Sequence, residues 1–269
     1  MKKLALAGLL ILALLASAGP CLADPSSDFR ESGGERYDDW NLCRTRYQGN
    51  YGFFQATDST FRPAIAFESI GSIGQFKDIA WEVGKSFENQ YSNPNERAKQ
   101  IFSYARDNVT YTSDVVQFGY DEFARNADEV VKDIQSIGSS RGDCEDYAVL
   151  LAVMFKAADL RSAVLLAPEH AAALVYLPDY PDANTYWTLD GESGWIWAEA
   201  TGRTNPLGWT PSEFMRSDLA AYEIGEEDIF AEGMPEAPAP GGGGGVFFGG
   251  SSFFFIILFF WIISALLRR

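Results

Sequence analysis

The sequence predicts an α+β domain in which N-terminal helices pack on an antiparallel sheet, with a further apolar helix at the C-terminal end. Three observations predict it. Apolar residues recur at helical spacing from Ala80 to Phe155. From Ser162 onward the pattern changes to short extended runs broken by turn residues. An uncharged run, Val246 to Leu267, then closes the chain. Helices in one block and strands in the next belong to the α+β class, not to alternating α/β architectures.

The two ends read as membrane-related segments. Met1-Lys2-Lys3 precedes an apolar run from Leu4 to Ala16, and Cys21-Leu22-Ala23 suits cleavage before Asp24, so residues 1–23 are expected to be a secretory signal peptide. Pro20, directly before Cys21, argues against lipid attachment at that cysteine. Residues 246–267 are long enough to span a bilayer core, which takes roughly 20 residues. Arg268-Arg269 suit a cytoplasmic basic tail at 268–269. The expectation is a single-pass cell-membrane protein with its globular domain outside the cytoplasm. Gly241 to Gly245, a helix and a basic tail also have the form of a sorting signal removed by a membrane protease.

Charge and cysteine usage exclude several function classes. The net charge is -16 and no block of basic residues occurs, so nucleic acid is not an expected partner. Beyond the signal segment two cysteines remain, Cys43 and Cys144, which could pair in an oxidising compartment. Two cysteines and one histidine do not make a structural zinc cluster. No cofactor and no metal is expected.

Residues 24–92 form an aromatic-rich N-terminal region. Asp24 to Gly34 is polar and reads as loose. Tyr37 to Phe76 carries Trp40, Tyr47, Tyr51, Phe53, Phe54, Phe61 and Phe67 without a period, and is expected to pack on the core. Ala80, Val83, Phe87 and Tyr91 mark one face of a helix ending before Ser92. The domain proper is placed at residues 93–215. Asn93 caps its first helix, with Pro94 at N1 and Glu96 at N3, and Ala98, Ile101, Phe102, Ala105 and Val109 form the buried face. Val109 to Thr112 reads as an extended exit. A further helix carries Phe123, Ala127, Val130, Ile134 and Ile137 and stops at Gly138. Ser139 to Gly142 reads as a loop.

Arg141-Gly142-Asp143-Cys144-Glu145-Asp146 then leads into a helix whose apolar face is Ala148, Leu151, Ala152 and Phe155. Asp143 suits the N-cap and places Cys144 in the first turn, where free N–H groups favour a thiolate. Asp143, Glu145 and Asp146 are read as acids complementing the helix dipole, in preference to a calcium site. Four strands follow at Ser162 to Ala167, Ala171 to Leu177, Thr185 to Leu189 and Trp195 to Ala200, with a turn at Gly191 to Gly194. Trp187, Trp195 and Trp197 read as core residues of this sheet. Residues 216–245 form an acidic, then Pro/Gly-rich linker, of which Glu226 to Pro240 is a spacer.

His170, the one histidine of the chain, stands at the start of a strand. A cysteine nucleophile needs a base, and imidazole titrates near neutrality. A third, acidic residue would orient the ring. Glu199 on the last strand is the first choice, and Asp190 at the end of the preceding strand is the alternative.

From about Asn95 to Trp209 the chain resembles the transglutaminase-like superfamily of papain-like cysteine enzymes. The resemblance rests on the helix leading into Val109-Thr110-Tyr111, the Gly-Asp-Cys-Glu-Asp turn at 142–146, the His170-headed strand, and Trp195-x-x-x-Glu199-x-Thr201. It looks closest to secreted or membrane-attached archaeal and bacterial members. The resemblance implies Cys144 as nucleophile, His170 as general base and acid, and Glu199 as orienting acid. It also implies acyl transfer from an amide through a thioester to water or another amine. Expected substrates are peptides, proteins or cell-envelope amides. The family more often has Asp where Glu199 stands, and an aromatic residue near Ala171-Ala172. The alternative function is a catalytically silent surface domain that binds or scaffolds.

Overall fold

The computed structural model describes residues 29–38, 43–45, 79–217 and 219–225. The expected signal segment, the membrane helix at 246–267, the spacer and most of the Tyr37 to Phe76 stretch lie outside these residues. No helix among the described residues is long and apolar enough to cross a membrane.

A hairpin opens the described chain, β1 (Arg30–Ser32) pairing antiparallel with β2 (Glu35–Tyr37) around Gly33-Gly34. This replaces the loose segment expected up to Gly34. The downstream Arg44 side chain is fully buried and donates to Asp38 at 2.7 Å, to the Ala124 carbonyl at 2.7 Å and to Glu129 at 3.1 Å. An N-terminal cation thus fastens this region to the helical layer.

α1 (Ile79–Gln90) and α2 (Pro94–Asn108) form where the apolar spacing places them. The Asn93 side chain accepts from the Glu96 N–H at 3.0 Å, and Pro94 occupies the first helical turn. Ala98, Ile101, Phe102 and Ala105 are the buried face of α2. β3 (Val109–Tyr111) follows, then a short helix, α3 (Asp114–Gln117), that the residue pattern does not announce. α4 (Ala127–Ile137) begins later than its apolar pattern implies. Asn126 and Glu129 exchange hydrogen bonds at 2.9 Å in both directions as a capping box, leaving Phe123 in the preceding loop. Ile137 is exposed, and Gly138 ends the helix in the left-handed region.

Residues Ser140–Gly142 are a strand, β4, where a loop was expected. It pairs in parallel with β3, Tyr111 lying opposite Gly142. α5 (Cys144–Ala157) is buried on every side from Glu145 to Phe155, not on one face. It packs against α1, α2 and α4 on one side and the sheet on the other. A helix in the middle of a domain has no solvent face to keep polar. Gly84 of α1 marks the closest approach: a Cβ there would lie 2.7 Å from the Ala157 Cβ and 2.8 Å from the Met154 carbonyl.

The sheet order is β7-β8-β6-β5-β9 and every pairing is antiparallel. Its strands are β5 (Ser162–Ala167), β6 (His170–Tyr176), β7 (Trp187–Leu189), β8 (Glu192–Ala198) and β9 (Ala220–Glu223). β9 falls in the segment read as linker, so the sheet extends past residue 215. β8 begins three residues before Trp195 and β7 two residues after Thr185. Alternation divides β5, β6 and β8 between two apolar clusters. Val164, Leu166, Ala171, Ala173, Val175 and Ile196 join the main core with α5, while Leu165, Leu174, Trp195 and Trp197 form a second cluster.

Candidate active site

The site is built where the start of α5 meets the start of β6 and the end of β8. Arg125 organises the approach to Cys144. Its guanidinium donates to Ser140 Oγ, the carbonyls of Arg141 and Glu129, and Asp133, while its backbone N–H donates to Asp146 Oδ1 at 2.9 Å. α4, β4 and the first turn of α5 are therefore held by one residue. Gly142 is required by contact: a Cβ there would sit 2.5 Å from Asp146 Oδ2 and 2.7 Å from its Cβ. Asp143 occupies the N-cap position with extended backbone, but its side chain makes no capping hydrogen bond.

Cys144 is partly exposed and its thiol donates to Glu145 Oε2 at 3.2 Å. Cys43 and Cys144 are both free thiols, which removes the disulfide that the cysteine count allowed. Cys43 is buried, with Glu35 Oε2 3.8 Å from its sulfur.

His170 opens β6 opposite Ala167, directly after a tight turn in which Glu169 takes φ 55°. Its Nε2 is hydrogen-bonded to Glu199 Oε2. Glu199 follows the last residue of β8, where Ala198 is registered against Ala173 of β6, so sheet pairing delivers both side chains to the same end. The carboxylate is buried, and Thr201 secures its other oxygen with both the hydroxyl and a backbone N–H at 3.2 Å. Burial lowers the His170 pKa, but hydrogen bonds to Cys144 and Glu199 outweigh it and push the imidazole up to about 10. With Nε2 committed to Glu199, Nδ1 is the nitrogen left for the thiol.

Asp190 is elsewhere. It lies exposed in the β7–β8 turn with φ 50°. The structure brings Cys144, His170 and Glu199 together and leaves Asp190 outside the group.

Phe214 is a neighbour that sequence reasoning missed. Its ring stacks on His170 at 5.1 Å and on Trp197 at 5.5 Å. It comes from a 3₁₀ turn, Phe214–Arg216, that no periodicity signals. Tyr111 is pushed up to about 12 by burial and by the negative field of Cys144, Asp143, Glu145 and Glu199.

An acidic cluster, also missed, flanks the cysteine. Carboxylate oxygens of Asp114, Glu122, Asp143 and Glu145 all lie within 4.8 Å of one another. Burial raises all four, and neighbouring negative charges add to it for Asp114 and Glu122, raised to about 7, and for Glu145, raised well above the usual carboxylate range. Asp114 and Glu122 lie more than twenty residues before Cys144, so only the fold unites them with its two flanking acids.

A helix-start thiol, an imidazole hydrogen-bonded to a buried carboxylate, and partial solvent access make an arrangement suited to nucleophilic acyl chemistry. No curated protein matches this chain. Residues 82–213, which contain Cys144, His170 and Glu199, match the family model described as the transglutaminase-like superfamily. Members of that superfamily are generally cysteine-dependent enzymes. Residues 82–213 of this chain are therefore a domain of the transglutaminase-like superfamily.

Proposed function

We propose that this protein is a membrane-anchored, extracytoplasmic thiol enzyme that cleaves or transfers amide or peptide acyl groups. One observation carries the catalytic reading: a buried carboxylate, Glu199, holds Nε2 of the imidazole that lies beside Cys144. In this scheme the Cys144 sulfur attacks an amide carbonyl carbon. Protonated His170 then gives its proton to the leaving nitrogen as the C–N bond breaks, leaving a thioester on Cys144. His170 next takes a proton from water or an incoming amine, which attacks the thioester and frees the sulfur. Glu199 keeps the ring oriented and offsets its positive charge. The Cys144 backbone N–H, at a helix start, is a donor suited to the oxyanion. Water as acceptor makes a peptidase or amidase, and an amine makes an acyltransferase.

The cellular setting rests on sequence alone, namely the charged and apolar residues 1–23, the uncharged run 246–267 and the terminal arginines. It directs the search toward peptide, protein or cell-envelope amide substrates, and the acidic chain gives no support to nucleic acid.

The test is the rate of Cys144 alkylation at pH 7 in the full-length protein, located by mass mapping, in wild type and in His170→Ala. Faster reaction in wild type supports the pair. Equal, slow rates would favour a catalytically silent domain that binds or scaffolds.

A further inference from the structure

Arg106, Asp107, Val109, Thr110 and Arg203 line a hollow of about 400 Å³. Three connections tie it to the group formed by Cys144, His170 and Glu199. Its Val109-Thr110 wall belongs to β3, whose next residue, Tyr111, is registered opposite Gly142, two residues before Cys144. Arg203 stands two residues after Thr201, which holds Glu199 by its hydroxyl and its N–H. Tyr147, one helical turn after Cys144, donates its hydroxyl to the Val109 carbonyl at 2.6 Å. Burial pushes that hydroxyl up to about 12, with Arg203 opposing the shift and Glu199 adding to it. The lining is cationic although the chain's net charge is -16. Arg106 donates from Nε to Asp107 Oδ1 at 2.9 Å, so these two nearly cancel. Arg203 is exposed and forms no hydrogen bond or ion pair among the described residues. Asp and Glu outnumber Lys and Arg by 37 to 21, so carboxylates are not scarce, yet none of those described pairs with this guanidinium. Thr110, also exposed, adds a hydroxyl without an internal hydrogen bond.

We propose that this hollow is a subsite for a substrate carboxylate, with Arg203 as the residue that binds it. A guanidinium presents two parallel N–H donors in a planar fork that matches the two oxygens of a carboxylate. The Thr110 hydroxyl is a further donor on the opposite wall. Asp107 would repel an incoming anion, and its pairing with Arg106 removes most of that repulsion. A phosphate monoester carries nearly two charges and three acceptor oxygens, more than one unpaired guanidinium beside Asp107 can satisfy. A peptide carboxylate carries one charge and suits it. The substrate class is then a peptide with a carboxylate, on a side chain or at its C-terminus, close to the amide that reaches Cys144. The assignment of that carboxylate to a substrate rests on the thiol-enzyme reading, whereas carboxylate binding by Arg203 can be measured without any reaction at Cys144.

The experiment follows the arginine ¹⁵Nε signals of the full-length protein by NMR, the Arg203 signal being the one lost in Arg203→Lys. Three probes are titrated: acetyl-glutamate amide, with a side-chain carboxylate; acetyl-glutamine, with a terminal carboxylate; and acetyl-glutamine amide, with neither. A saturable shift of the Arg203 signal with either carboxylate, and none with the neutral probe, is the expected result, and the stronger of the two names the source. No saturable shift with either carboxylate, or equal shifts with all three probes, would overturn the proposal. A second measurement compares Cys144 alkylation by maleimidohexanoate, which ends in a carboxylate, with alkylation by neutral N-ethylmaleimide. The ratio of the two rates should fall about twofold to fivefold in Arg203→Gln, the range for losing an exposed ion pair, and recover in Arg203→Lys. A ratio that does not change in Arg203→Gln would also overturn the proposal. Because Arg203 is exposed and without internal bonds, both variants should fold, which thermal melts check. A Cys144 slow toward both maleimides, with the carboxylate-dependent Arg203 shift intact, would count against the enzyme and in favour of the anion site.

Discussion

Phe214 lies flat against His170, with ring centroids 5.1 Å apart and planes 3° from parallel. The same phenylalanine stacks on Trp197 at 5.5 Å, which ties the imidazole's aromatic neighbour to the second apolar cluster. A ring held on one face by an aromatic and at Nε2 by Glu199 has little freedom to rotate. Phe214→Ala should therefore slow Cys144 alkylation and lower stability by about 1–2 kcal/mol, while Phe214→Tyr should preserve both. Alkylation kinetics paired with urea denaturation check this. A variant that loses stability but keeps wild-type alkylation would show that the stack serves packing alone.

His170 should remain charged far above the usual histidine range. Its folded pKa is raised to about 10 from the ordinary 6.5, so its contribution to stability is fully present below about 6.5 and is lost as pH rises through about 10. As the chain's one histidine, it gives unambiguous ring ¹⁵N signals. Those signals should report an imidazolium at pH 8. A transition centred near 6.5 would contradict the proposed partnership with Cys144 and Glu199.

The two candidate acids should separate cleanly. Glu199→Gln keeps the shape but removes the charge that Thr201 and His170 hold, and should reduce Cys144 alkylation at pH 7 by about tenfold or more. Asp190→Asn, in an exposed turn, should leave the rate at wild type. The ¹⁵N transition of His170 should fall in pH in the first variant alone.

Gly142→Ala tests why a glycine precedes Asp143-Cys144. The added methyl would meet Asp146 at 2.5–2.7 Å, and Asp146 cannot yield without releasing the Arg125 N–H. A loss of about 1–3 kcal/mol is expected, the range for overpacking a filled site, together with altered Cys144 reactivity. Chemical denaturation of wild type and variant measures the first, and alkylation the second.

Much of the framework was legible in the residues. The cap at Asn93, the stop at Gly138, the Cys144 helix and the antiparallel strands follow from local preferences that need no distant partner. The order of cysteine, histidine and a following acid, Glu199 or Asp190, was legible for the same reason, since each is tied to the end of an element visible in the pattern. What failed was non-local. β4 exists because Ser140–Gly142 pairs with β3, 31 residues upstream, and β9 exists because it pairs with β5. The all-round burial of α5 was hidden because periodicity reports a helix's own pattern, not the number of layers around it.

By itself, then, the sequence determined the helix-then-sheet order, the caps and the chemical types available for catalysis, because these depend on residues within a few positions of one another. Tertiary structure alone decided which acid reaches His170, because strand register carries Glu199 to the imidazole and leaves Asp190 in a solvent turn. It also decided that Phe214 covers His170, that Cys43 and Cys144 stay apart, and that Asp114 and Glu122 meet the acids around the cysteine. Those relations are set by chain closure and packing over long separations, and no local spacing encodes them.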